Sequence, residues 1–138
     1  MRLQIQRRRP VALLTGIAAA ALLAGAGCGG DDEPSPEEAA RAAADQFVSS
    51  FETGDFEAAC GDLTDQLADQ IGGEECPDRI ASIAGQGEDL SISITNLRVS
   101  GPKAVAETEV SRAGSPPQES SFELVETART WEVSKLGD

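Results

Sequence analysis

The sequence predicts an α+β fold: helices first, then a meander of strands, with the helices packed on one face of a curved antiparallel sheet of about four strands. Three observations carry this. Ala40, Ala43, Ala44, Phe47, Val48 and Phe51 recur three and four residues apart, the spacing of one helix face. At Leu90 the period drops to two, and Leu90, Ile92 and Ile94 alternate with polar residues as a half-buried strand does. Turn residues then divide the remainder into strand-length pieces, at Ser100-Gly101-Pro102-Lys103 and at Ala113-Gly114-Ser115-Pro116-Pro117.

The first helix starts at Ser35-Pro36-Glu37-Glu38. Ser35 can cap, Pro36 suits the first turn, and Glu38 completes a capping box. It runs to about residue 52 and stops at Gly54, which can adopt a left-handed cap without strain. Asp55 can cap a short second helix with Phe56, Ala59, Cys60 and Leu63 inside. Thr64 can cap a third, with Leu67 and Ile71 facing in, stopped by Gly72-Gly73. Pro77 opens a fourth, whose apolar stripe is Ile80, Ile83 and Ala84, and Gly85 closes the helical half. In the first strand Leu97 and Val99 continue the alternation one step out of phase. An extra residue near Thr95-Asn96 would restore the facing, which predicts a β-bulge there. Three more strands follow over residues 104–111, 121–126 and 129–136, the last with Trp131 and Val133 on one face.

The N-terminus reads as an address. Four of the eleven basic residues, Arg2, Arg7, Arg8 and Arg9, precede an uncharged apolar run at residues 11–26. That is the pattern of a secretory signal peptide, and the run is short for a membrane span of about 20 residues. Leu23-Ala24-Gly25-Ala26-Gly27-Cys28 resembles a bacterial lipobox, in which the cysteine is diacylated on sulfur and becomes the new N-terminus; Gly25 stands where that motif usually has Leu. The organisation expected is a signal peptide at 1–27, a lipidated Cys28 with a tether to residue 35, and one domain at 36–138. The alternative is cleavage after Ala26 at Ala24-x-Ala26, giving a secreted protein. The arginines fit general secretion better than twin-arginine export, whose flanking residues are missing. Localisation is thus expected on the outer face of the cell membrane, through the lipid.

Cysteine usage agrees with export. With Cys28 acylated, Cys60 and Cys76 remain as a pair, expected to form a disulfide in an oxidising compartment. A zinc site is disfavoured, because histidine is absent from the chain.

Composition excludes several functions. The chain has 138 residues, and without the four leading arginines it keeps 7 basic against 24 acidic residues, a net charge of −17. Such a surface repels phosphate backbones, so no nucleic-acid partner is expected. Without histidine or tyrosine the commonest general acid–base and the phenol donor are missing. Asp45, Asp55 and Asp62 remain as candidate bases. Asp55 is needed as a helix cap, Asp45 falls off the apolar stripe, and Asp62 lies in an acidic run that reads as surface. Glu74-Glu75 and Asp31-Asp32-Glu33 have no calcium-loop spacing, so no metal and no cofactor are expected. The aromatics Phe47, Phe51, Phe56, Phe122 and Trp131 read mainly as core.

Ala43-Ala44-Asp45-Gln46-Phe47-Val48, then Thr53-Gly54-Asp55-Phe56-Glu57-Ala58-Ala59-Cys60, resembles the opening of nuclear transport factor 2-like domains, as found in actinobacterial lipoproteins. Thr130-Trp131-Glu132-Val133 resembles their closing strand. The resemblance implies a cone-shaped, cystatin-like α+β roll with a pocket between helices and sheet. It does not imply a function, since such domains include isomerases, dehydratases and non-catalytic binding modules. Residues expected to line the pocket are Phe47, Phe51, Ile92, Ile94, Phe122, Leu124 and Trp131. The expected function is a non-catalytic anchored module that binds a small apolar ligand or an envelope protein. The alternative is a pocket enzyme of the isomerase or dehydratase type with an Asp base.

Overall fold

The computed structural model describes residues 33–85, 89–128 and 130–137. The signal peptide, Cys28 and the tether up to Asp32 lie outside the described residues.

Helix α1 spans Pro36–Thr53. Its capping box is complete: Ser35 Oγ accepts from the Glu38 N–H at 3.2 Å, and Glu38 Oε2 accepts from the Ser35 N–H at 2.9 Å. Those hydrogen bonds hold the Glu38 carboxyl below its ordinary pKa, the backbone one contributing most. Gly54 closes the helix at φ 74°, a left-handed conformation that costs a glycine little. Two short helices follow, α2 (Phe56–Gly61) and α3 (Asp65–Ile71), capped by Asp55 and Thr64 as their sequences predict. A 3-10 turn at Gly73–Glu75 leads into α4 (Cys76–Ala84). The strands are β1 (Leu90–Ser100), β2 (Lys103–Arg112), β3 (Gln118–Thr127) and β4 (Thr130–Leu136), in the order β1-β2-β3-β4 with every pair antiparallel.

The bulge expected in β1 is present. Ile94 pairs with Thr108 and Asn96 with Glu107, which leaves Thr95 extra and returns Leu97 and Val99 to the helix side. A second irregularity, with no signal in the sequence, lies between Glu123 and Leu124 of β3, where β4 steps from Lys135 to Val133. The link between α2 and α3 also pairs with the sheet. Thr64 donates to the Val133 carbonyl at 2.9 Å and Val133 donates to the Asp62 carbonyl at 2.8 Å. This pins the backbone of Asp62 to β4.

The core lies between α1 and the sheet. It joins Ala40, Ala44, Phe47 and Val48 to Ala104, Ala106, Phe122, Leu124, Trp131 and Val133, with Leu63, Cys76 and Ile80 closing one end. Phe47 meets Phe122 edge-on, with ring centroids 5.3 Å apart, a favoured aromatic geometry. The Cys60–Cys76 disulfide is formed and ties α2 to α4, its Cα atoms 6.2 Å apart. On the outer face Arg98 pairs with Glu107, and Lys135 with Glu123 at 3.8 Å. These exposed pairs contribute little.

One stripe differs from its sequence reading. In α4 the inner residues are Cys76, Ile80 and Ala84, each four apart and each almost fully buried. Ile83 falls beside that line and is 65% exposed. Within so short a helix only one i, i+4 row reaches the core.

Candidate functional site

The sheet is covered unevenly. Trp131, Leu124 and Val133 sit where α1 and the α2–α3 link close over it, and they are buried. At the other end β1 begins, β2 ends, β3 begins and β4 ends, and there the covering is incomplete. The result is a cup of about 260 Å³. Phe47, Val48 and Phe51 of α1 and Ile83 of α4 form its helical wall. Leu90 and Ile92 of β1, Val110 of β2, Phe122 of β3 and Leu136 of β4 form most of the sheet wall. Thr108, Ser120 and Ser121 supply hydroxyls, Gly137 follows at the chain's end, and Arg112 supplies the one charge among the described lining residues.

Four of the seven residues expected to line a pocket do so: Phe47, Phe51, Ile92 and Phe122. Ile94, Leu124 and Trp131 do not. Leu124 and Trp131 lie under the closed end, and Ile94, half-buried, packs against the core two cross-strand pairs inside Ile92. Thr108, Val110 and Arg112 were not foreseen. Their signal was present, since Ala104, Ala106, Thr108, Val110 and Arg112 alternate along β2 on the face turned to the helices. Ending that strand at Ser111 hid its last member.

No carboxylate lines the cup among the described residues. Asp45 is exposed and pairs with Arg41 at 3.2 Å, and Asp55 caps α2. Asp62 differs from its reading as a surface residue. It is half-buried between α1 and the segment that pairs with β4. Its Oδ1 accepts from Gln46 Nε2 at 2.8 Å, while Oδ2 is buried with no partner of normal geometry. Burial is the main cause that raises the Asp62 pKa above its ordinary value. Gln46 and the nearby Ser50 hydroxyl oppose the shift, and the Asp55 charge adds to it. Asp62 is thus a perturbed carboxyl on the wrong side of α1 from the cup. Among the described residues no cluster of histidine, cysteine, aspartate or glutamate could hold a metal ion, and no helix is long and apolar enough to cross a membrane.

No family profile and no curated protein matches the sequence. Solved structures do match the fold. A putative nuclear transport factor 2-like transpeptidase from Campylobacter jejuni aligns with a TM-score of 0.53 at 16% identity, covering 68% of this chain and 95% of its own. An uncharacterised cystatin-fold protein from Novosphingobium aromaticivorans gives 0.52 at 14%, covering 67% and 93%. A nuclear transport factor 2-like protein of unknown function from Shewanella baltica gives 0.52 at 12%, covering 72% and 90%. Identities this low carry the fold and nothing of activity. The described chain has the fold of nuclear transport factor 2-like, cystatin-fold proteins: helices followed by an open four-stranded antiparallel sheet.

Proposed function

We propose that the chain is an extracytoplasmic lipoprotein of the actinobacterial type, held to the membrane through Cys28, whose cup binds a small apolar ligand without catalysis. The observation that carries the binding half is the wall of the cup. Phe47, Val48, Phe51, Leu90, Ile92, Val110, Phe122 and Leu136 present hydrocarbon, and no described lining residue can exchange a proton near neutral pH. Apolar walls with a few convergent polar groups are the usual composition of a small-molecule site. The anchoring half is supported by the small-residue run before Cys28 and by the pairing of the other two cysteines with each other.

One observation favours the enzyme reading, the raised pKa of Asp62, since perturbed carboxyls collect at active sites. Its position weighs against it. A base must reach the proton that it removes, and Asp62 faces Gln46 and Ser50 rather than the cup.

The test is to isolate the protein from the membranes of producing cells, extract it with organic solvent and weigh both fractions. The proposal expects acylated Cys28 as the first residue and a small apolar compound at near-stoichiometric amount. A soluble protein beginning at Gly27 would overturn the anchor. An empty cup that also takes up no apolar probe would overturn the binding role.

A further inference from the structure

Arg112 is out of place in an apolar cup. It ends the row of β2 residues that faces the helices, opposite Leu90 of β1. Arg41, Arg79, Arg98 and Lys135 each sit in an ion pair, on exposed surfaces. Arg112 instead directs Nη1 to the Ala84 carbonyl at the end of α4, at 2.7 Å. Among the described residues no carboxylate lies within ion-pair distance of it. Part of its role is structural, since a cation at a helix C-terminus is favourable and the bond ties α4 to β2. That bond uses one of the five N–H donors of the guanidinium. The others are left at the rim of a hydrocarbon-walled cavity, in a chain otherwise strongly acidic.

We propose that the cup takes a small amphiphile with a single anionic head. Its chain lies among Phe47, Phe51, Ile92 and Phe122, and its head meets the Arg112 guanidinium. This rests on the apolar-ligand reading above and adds the charge of the head. A carboxylate suits the site, because it can accept two parallel bonds from a guanidinium. The acidic surface repels an anionic head elsewhere on the domain, so the attraction for one must come from this one contact. Size limits the ligand as well. At the roughly 30 Å³ that one water occupies in the liquid, a cavity of about 260 Å³ holds about nine heavy atoms. A medium-chain acid matches that volume.

The experiment titrates the purified full chain with octanoate, octanol and octylammonium by calorimetry, at low and high salt, then repeats it with Arg112→Gln. Glutamine removes the charge and retains a donor for the Ala84 carbonyl. The proposal expects octanoate to bind about tenfold tighter than octanol. The preference should shrink at high salt and vanish in Arg112→Gln. Equal binding of octanoate and octanol, or tighter binding of octylammonium, overturns the anionic head and leaves the apolar cup standing. A preference that survives Arg112→Gln overturns the assignment to Arg112. No binding of any of the three overturns the cup reading too. If Arg112→Gln does not fold, the head series and its salt dependence in the natural chain decide the matter alone: a preference for octanoate unaffected by salt overturns the proposal.

Discussion

Breaking the Cys60–Cys76 bond should cost this domain a large part of its stability. The bond closes a loop between residues 16 apart, which contains α3 and the 3-10 turn. In the chain-entropy model a loop of this length stabilises by about 3 kcal/mol. The start of the loop is held by buried Leu63 and by the pairing of Asp62 and Thr64 with Val133, but its remainder is weakly held, because α3 has no fully buried residue and contributes only half-buried contacts through Leu67, Ala68 and Ile71. Small domains have about 5–15 kcal/mol in total, so the loss is serious. For a domain of this size it corresponds to a fall in Tm on the order of 12 °C. Reduction of the natural protein isolates the cross-link, since both sulfur atoms stay in place. Thermal unfolding followed by circular dichroism, with and without reductant, measures the difference. Hydrogen exchange should show α3 opening first. An unchanged Tm in a sample whose mass proves full reduction would refute the reasoning.

Two further perturbations test other parts of the account. Asp62→Asn should stabilise the domain at neutral pH, by less than about 1 kcal/mol once solvent screening is allowed for. The folded state raises this pKa, so the carboxyl's penalty is absent below the unfolded value near 3.9 and grows as pH rises through the folded value. Urea unfolding across pH 3–7 should therefore show the two proteins converging at the acid end; a constant gap contradicts the assigned cause. Gly137→Ala should destabilise the β3–β4 edge by roughly 1–3 kcal/mol, because a Cβ there would stand 2.2 Å from the Ser121 carbonyl oxygen. A urea midpoint equal to that of the natural chain would contradict that packing.

The legible parts of the fold were those set by local chemistry. Ser35 with Glu38, Gly54, Asp55 and Thr64 fix helix ends through their own side chains or φ angle, and each does so in the structure. The bulge at Thr95 was readable because a change of facing within one strand has few other solutions. What depends on distant partners was not readable. Asp62 is half-buried where its own carbonyl and the Thr64 N–H pair with Val133, a pairing across the whole domain that leaves no trace in the local pattern. Ile83 satisfies the helical period as well as Ile80 does, yet only one of them meets the core. The cup shows the same limit. Periodicity put Ile92, Ile94, Leu124 and Trp131 on the helix side, but only packing decides which of these sit under the closed end and which at the open one. Arg112 reached the cup by the same two-residue alternation as its apolar neighbours.

The central claim is that the cup between α1 and the open end of the sheet is where this protein meets its ligand. The measurement that tests it most directly is an NMR titration of the full chain with octanoate, followed at assigned aromatic, methyl and arginine side-chain signals. The account predicts that Phe47, Phe51, Ile92, Phe122 and Arg112 shift together along one saturable curve while Trp131 and Leu124, buried under the closed end, barely move. Shifts centred on the surface around Asp62, or scattered with no saturation, would contradict it.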